Sequence, residues 1–435
     1  PQGRHLLEID SGPLRVNLDP ILYRSRFFAN DDTLNETERV NKDTNGFLLW
    51  GTVGPYFGYY TDVRDTREWG TRAYPGGKTT APGLGFVQGN RQQIYHDETV
   101  AYLLFSHKYL NVQFGKDANV WGPAWRGQLF LSNFATSYDQ FKLQIALDRV
   151  KFTYVLAWLK HYTSDYFKGD PGTKIMASHR LECAPFRFID IGLHSAVIYA
   201  GRSFEPAYMN PVMFFRSAEH YLGDQDNAVM GLDFELKAIK NTKLYGELFL
   251  DDVTTSKLGS GFYGNKYGLT AGLFVVDPFN LANLDARVEY TAVRPFVYSH
   301  KDTVTAYAHF ITPLGHVIGP NSDNLFLQLR YRLSRRTLFD LSFERYRFGG
   351  NTAELNVGRD VFRPRNFETD PEIIHLLDGV RHEINSFGLR AEYEFVRNGF
   401  VDVAVHRLQT TIDQERDWTF PVGRSEIEIG FRVNY

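Results

Sequence analysis

The sequence predicts an all-β fold, a transmembrane antiparallel β-barrel of about 18 strands with long extracellular loops partly folded into the lumen. Three observations predict it. Short segments alternate apolar and polar residues with a period of two. The connections between them alternate strictly between long and short. The last stretch, 427–435, places Ile427, Ile429, Phe431, Val433 and Tyr435 on one face and Glu428, Gly430, Arg432 and Asn434 on the other. Tyr435 would end that apolar face with a ring and a polar tip, which suits a membrane–water boundary.

In order, the expected strands are 14–28, 47–53, 56–64, 99–106, 110–115, 140–147, 151–159, 174–183 and 188–199. They continue as 228–236, 244–250, 267–276, 284–292, 325–333, 338–345, 386–395, 400–408 and the terminal strand. Arg24 and Arg26 interrupt the outward row of the first, and a polar loop is expected from Asn30 onward. In the sixth, Phe141, Leu143, Ile145 and Leu147 alternate with Lys142, Gln144 and Ala146. In the fourteenth, Leu325, Leu327, Leu329 and Tyr331 should face lipid, and Gln328, Arg330 and Arg332 the lumen. Turns after even-numbered strands are tight, such as Asp148-Arg149 and Arg397-Asn398-Gly399, and loops after odd-numbered strands are long. A bacterial outer-membrane barrel shows this parity, with short turns in the periplasm and both termini on that side. A soluble β-sandwich has no reason to keep it. The whole chain, 1–435, therefore reads as one barrel domain, with 1–13 as a periplasmic N-terminal segment.

The totals agree. Aromatic residues make up 15% of 435, with 35 Phe and 25 Tyr, as strands and interfaces favour. Mean hydropathy is −0.33, which a barrel tolerates because only alternate strand residues meet lipid. No run of 18 apolar residues is present, so no transmembrane helix is expected. The net charge of −3 implies no nucleic-acid partner. Cys183 is the single cysteine, which excludes an internal disulfide and a Cys-rich metal site. One weak helical patch, 371–377, falls inside a long loop, and no helical domain is visible.

Several short stretches lie at strand ends in a fixed order: Gly115-Lys116-Asp117, Trp121-Gly122-Pro123, Leu129-Phe130-Leu131-Ser132-Asn133, His179-Arg180-Leu181-Glu182, and Tyr199 with Gly201-Arg202. Tyr208, Asn210, Pro211, Gly223-Asp224-Gln225-Asp226-Asn227, Met230-Gly231, Tyr245-Gly246-Glu247, Arg294-Pro295 and Pro313-Leu314-Gly315-His316 follow. Over residues 14–435 the chain resembles the capsule assembly protein Wzi family, in a short form without the periplasmic helical bundle of the enterobacterial members. The resemblance implies an 18-stranded outer-membrane barrel with a lectin-like role, binding or anchoring a surface polysaccharide. Its partners would be outer-membrane lipid, that polysaccharide and an unknown protein. The alternatives are a porin-like diffusion channel for small solutes or sugars, or a scaffold for a partner protein.

The expected ligand-binding residues are Trp121, Trp125, Asn133, Arg180, Glu182, Arg202, Tyr208, Asn210, Asp224, Gln225, Asp226 and Asn227. Indole faces stack on sugar rings, but Trp121 beside Gly122-Pro123 also reads as packing in a fixed plug. The oxygen-rich run Asp224 to Asn227 offers ligands for a hard cation, yet fits no EF-hand spacing and also reads as a turn network. Arg180 and Glu182 share a strand face, as a carboxylate-binding pair or as rungs of a charge ladder. No catalytic residue, metal or cofactor is expected. His194 and Ser195 point to opposite faces. The loop histidines His220, His300, His309 and His316 have no Gly-x-Ser-x-Gly motif near them and no zinc spacing.

Overall fold

A computed structural model describes residues 5–32, 37–74, 87–161, 173–412 and 422–434. Eighteen antiparallel strands close into one barrel: β1 Leu14–Asp31, β2 Thr37–Val53, β3 Phe57–Gly70, β4 Gln93–His107, β5 Leu110–Asp117, β6 Tyr138–Ala146, β7 Val150–Leu159, β8 Lys174–Phe186 and β9 Ile189–Ala200. The second half is β10 Asn227–Leu236, β11 Thr242–Asp252, β12 Lys266–Val276, β13 Leu284–Val293, β14 Ser322–Arg332, β15 Thr337–Gly350, β16 Val380–Val396, β17 Gly399–Ile412 and β18 Gly423–Val433. Each pairs with its neighbours in sequence, and β1 pairs with β18 from Leu22↔Val433 to Asp31↔Arg424, which closes the ladder. Among the described residues no helix is long and apolar enough to cross a membrane. Tyr435 lies outside the described residues.

Side-chain alternation sets the two faces. On β14, Leu329 and Tyr331 are 45% and 42% exposed on the outward row. Gln328 and Arg330 point inward, where both donate to Asp340 of β15, at 2.9 and 2.6 Å. The short-turn and long-loop ends follow the expected parity. The polar loop expected from Asn30 is instead mostly ladder, because β1 and β2 stay paired up to Asn30↔Thr37. Beyond the apolar layer either face can carry polar side chains, so a strand continues without alternation. Arg24 and Arg26, on the outward row, donate to Asn45 at 2.7 Å and Asp43 at 3.1 Å.

The N-terminal segment is also ladder. The stagger of a closed barrel leaves β1 below Leu22 without β18. Leu7–Ser11 folds back along β1 from Leu7↔Leu18 to Ser11↔Leu14 and fills that edge. The helical patch expected at 371–377 is a loop, because its apolar residues pack elsewhere. Ile374 is buried against Phe296 and Val357, and Ile373 bridges to Phe262. Two short helices occur instead in loop 201–226, α1 Pro206–Met209 and α2 Phe215–Tyr221.

The lumen is divided. Toward the long-loop end of β7–β11 the inward row turns apolar: Val155, Ala157, Met176, Ala196, Ile198, Val229 and Phe249. They meet Leu129, Phe130 and Leu131 of loop 118–137 and Tyr298, Tyr307 and Leu314 of loop 294–321. This is a core of the soluble type inside a membrane barrel. Toward the short turns the inward row is polar. Introducing Leu329→Arg on the lipid row should destabilise the barrel by roughly 2–4 kcal/mol, read by denaturant titration in phospholipid vesicles.

Candidate functional site

Loop 118–137 enters the lumen and is held by two wall carboxylates. Glu247 of β11 accepts from the backbone N–H groups of Ala124 at 2.9 Å and Leu129 at 2.7 Å. Glu289 of β13 accepts from those of Trp125 at 2.6 Å and Arg126 at 2.8 Å, and from the Tyr245 hydroxyl at 2.7 Å. Arg126 then reaches Glu344 of β15 at 2.6 Å. A hydrogen bond between charged groups, as between Arg126 and Glu344, contributes about 1.5–3 kcal/mol. Gly122 is required between Trp121 and Pro123 for two reasons. Its φ is +130°, and a Cβ there would stand 2.2 Å from Glu247 Oε1. Tyr298 and Tyr307 hydroxyls donate to the Leu129 and Phe130 carbonyls at 2.8 Å, and Ser132 Oγ donates to the Gly315 carbonyl at 2.6 Å. Two loops thus form one plug.

Trp121 is 7% exposed and stacks on Phe130 and His194 at 5.9 and 6.1 Å between ring centroids. It is packing, one of the two readings its sequence allowed. Arg180 donates to Asp233 of β10 at 2.7 and 3.1 Å, reaching across β9 at Gly192. A Cβ on Gly192 would stand 2.6 Å from the guanidinium. His194 Nε2 lies 2.7 Å from the same carboxylate, and Glu182 pairs with Lys151 at 2.6 Å. Arg180 and Glu182 are therefore rungs of a charge ladder. The ladder borders a cavity of about 600 Å³ at the short-turn end, with Trp121 and Gly122 on its other side.

Trp125 is 47% exposed in a second chamber of about 650 Å³ between the plug and β14–β18. Arg287 lies over its ring at 3.8 Å and Arg330 at 5.5 Å. Gln328, Asp340, Ser342, Arg390, His406 and Arg432 supply the polar lining. Asn133 is exposed and borders a smaller cavity of about 280 Å³ with Asp62 and Arg64.

The remaining expected residues lie on loop 201–226 and at the start of β10. Asp226, 3% exposed, accepts from the Tyr208 hydroxyl at 2.7 Å and from Arg202, which also pairs with Glu205 at 3.2 Å. Asn227 donates to the Thr305 carbonyl at 2.9 Å, and Lys301 donates to the Asp224 carbonyl at 2.5 Å. Gln225 is exposed, and Asn210 caps its own turn by accepting from Val212 N–H at 3.2 Å. Five of the twelve, Trp121, Trp125, Asn133, Arg180 and Glu182, thus lie along the lumen, and of these Trp125 and Asn133 are exposed without being consumed by packing or ion pairs; the other seven gather on and beside loop 201–226, where Arg202, Gln225 and Asp226 border a space of about 350 Å³. The expectation missed Glu247, Glu289 and Arg287. Their sequence signal is a charge on the inward row of a strand.

The loop histidines serve structure. His300, His309 and His316 bond Thr305, the Lys160 N–H and the Ile318 N–H at 2.6, 3.0 and 3.2 Å. Burial holds them down, at about 4 for His300 and about 3 for the other two, so they are neutral near pH 7. Among the described residues one group of metal-ligating type occurs, Glu219, His220 and Asp224, with ligand atoms within 4.8 Å of one another. It shares Asp224 with the expected oxygen-rich run and takes its other two members from α2. Burial pushes the Glu219 carboxyl up to about 7, reinforced by Asp224 and Asp226 and opposed by Arg216.

Two predictions follow from this geometry. Glu247→Gln keeps the shape but turns a side-chain NH2 toward one of the two donating N–H groups, so hydrogen exchange at 124–129 should accelerate at least about tenfold relative to the parent protein. Glu219 binds its proton more tightly folded than unfolded. Its contribution to stability is complete below about 4.5 and is lost as pH rises through about 7. Protection of 206–222 should therefore fall between pH 4.5 and 7, and Glu219→Gln should flatten that dependence.

No curated protein sequence matches the chain. Among solved structures it resembles Wzi of Escherichia coli, described as an outer-membrane protein involved in group 1 capsule assembly and a carbohydrate-binding β-barrel. The TM-score is 0.55 at 12% identity, covering 94% of this chain and 83% of that one. It also resembles OccAB1 of Acinetobacter baumannii, with TM-score 0.52 at 7% identity over 96% of both chains. OprD of Pseudomonas aeruginosa gives TM-score 0.50 at 9% identity, over 96% of this chain and 92% of that one. At these identities the structures share the fold. The sequence model of the capsule assembly protein Wzi family matches residues 60–400, and the chain, an outer-membrane β-barrel, belongs to that family.

Proposed function

We propose that the barrel binds a segment of surface polysaccharide, without chemical conversion, in the chamber around Trp125. The observation that carries this reading is a half-exposed indole beside a 650 Å³ space lined with hydrogen-bonding groups of both charges. Sugar rings offer C–H faces to indole and hydroxyls to Arg, Asp, Gln and Ser. Arg287 and Arg330, drawn to the ring quadrupole, also supply donors to carboxylates of an acidic sugar. Family membership and the carbohydrate-binding Escherichia coli relative support the same reading. The contact then lies in the lumen, on a loop folded inward. This reading also assigns the short turns and both termini to the periplasm, as parity implies.

A diffusion channel is the second reading. It is favoured by the ion-paired wall lining both chambers, whose charged rows suit a wet interior. Two measurements separate the readings. Oligosaccharides released from the surface polysaccharide of the source bacterium should bind the folded barrel, and Trp125→Ala should weaken binding at least about tenfold. Planar bilayers should show no steady nanosiemens openings. Such openings together with unchanged oligosaccharide binding in Trp125→Ala would replace the binder with the channel.

A further inference from the structure

Loop 201–226 leaves the barrel top and turns outward, covering the lipid-facing side of the wall. Its buried residues Tyr208, Phe215 and Ala218 pack on the outward row of β7–β10: Tyr154, Leu156, Ile175, Ala177, Val197 and Tyr199. Phe215 lies 4.5 Å from the His179 ring, and the Tyr154 hydroxyl donates to the Tyr208 carbonyl at 2.9 Å. On β14, where nothing covers the wall, Leu329 is 45% exposed, whereas Ile175, Ala177 and Val197 are 0% exposed.

The contact is deep. His179 lies about seven residues above the short-turn end of β8, Phe186. At about 3.3 Å per residue and about 40° of tilt this is roughly 18 Å, less than the roughly 25 Å height of the apolar band. Just below, Leu181 and Leu193 are bare at 40% and 49%. The loop therefore begins where the exposed lipid face of the wall stops. The side it turns away from the wall carries four large apolar residues: Phe204 is 57% exposed, Met209 46%, Val212 81% and Phe214 56%. A loop in water would not spend four large apolar side chains this way. Its charged groups Arg202, Arg216, Glu205 and Glu219 are instead paired among themselves or with Asp226.

We propose that loop 201–226 is a lipid-embedded strap. It lies in the leaflet on the long-loop side, with Phe204, Met209, Val212 and Phe214 among acyl chains, continuing the lipid surface of the wall that it covers. This covers the half-buried His179 with Phe215 and leaves Ser195 5% exposed, polar groups of the outward row that bare hydrocarbon would penalise. The reading is independent of any lumen ligand.

The test is nitroxide accessibility in phosphatidylcholine vesicles, in a Cys183→Ser background that stays heat-modifiable. Labels at Val212→Cys and Phe214→Cys are compared with Leu329→Cys on the bare wall and Asp224→Cys on the exposed acidic turn. The strap predicts oxygen accessibility well above that of an aqueous nickel chelate at 212 and 214, matching 329 and opposite to 224. Nickel accessibility like that at 224 would overturn it in favour of a water-exposed loop. Exclusion of both reagents with spin–spin broadening would overturn it in favour of a contact between copies.

Discussion

The structure depends on closure of the ladder between β1 and β18. Hydrocarbon offers no partner to a backbone N–H or C=O, so a sheet in a membrane cannot keep an edge. The register from Leu22↔Val433 to Asp31↔Arg424 removes it, and Leu7–Ser11 covers the edge that the stagger leaves on β1. Closure then divides every strand into a lipid row and a lumen row. The lumen row must be satisfied from within, and two solutions are used. Toward the short turns, charges pair between strands, as Arg330 with Asp340 on the next strand and Arg180 with Asp233 two strands away. Toward the long loops, apolar residues are covered by inserted chain.

Glu247 and Glu289 join the two solutions. Each is a wall carboxylate that meets backbone amides of the plug instead of a counter-charge. A single carboxylate satisfies two donors that would otherwise be buried without acceptors. The plug is thereby fixed with Trp121 turned into the apolar core and Trp125 turned out of it. Two tryptophans four positions apart acquire opposite roles through which side of that anchor they leave. The chamber facing Trp125 is the consequence, and the proposed carbohydrate contact rests on it.

Outside the barrel the same physics works in reverse. The outward row of β7–β10 carries His179 and Ser195, which lipid would penalise, and loop 201–226 covers them with Phe215 and Tyr208. The Asp226 network, read from sequence as a possible ligand site, folds this loop: Tyr208 and Arg202 both close on its carboxylate.

The sequence by itself determined the strand number, the faces and the parity of connections, because alternation is local and repeats every two residues. Leu325, Leu327 and Leu329 against Gln328 and Arg330 can be read without knowing any neighbour. The rank of Trp121-Gly122-Pro123 as a special loop was also legible, but its reason, Glu247 pressing on Gly122, was not. Only the tertiary structure decided which loops fold inward and which outward. That choice rests on contacts such as Ser132 with Gly315, 183 positions apart, and Tyr154 with Tyr208, 54 apart. It also gathered Trp121, Trp125, Asn133, Arg180 and Glu182 along the lumen and folded Arg202 to Asp226 into the loop that covers the outer wall. No local pattern carries that information, because an apolar loop reads the same whether lumen or lipid receives it.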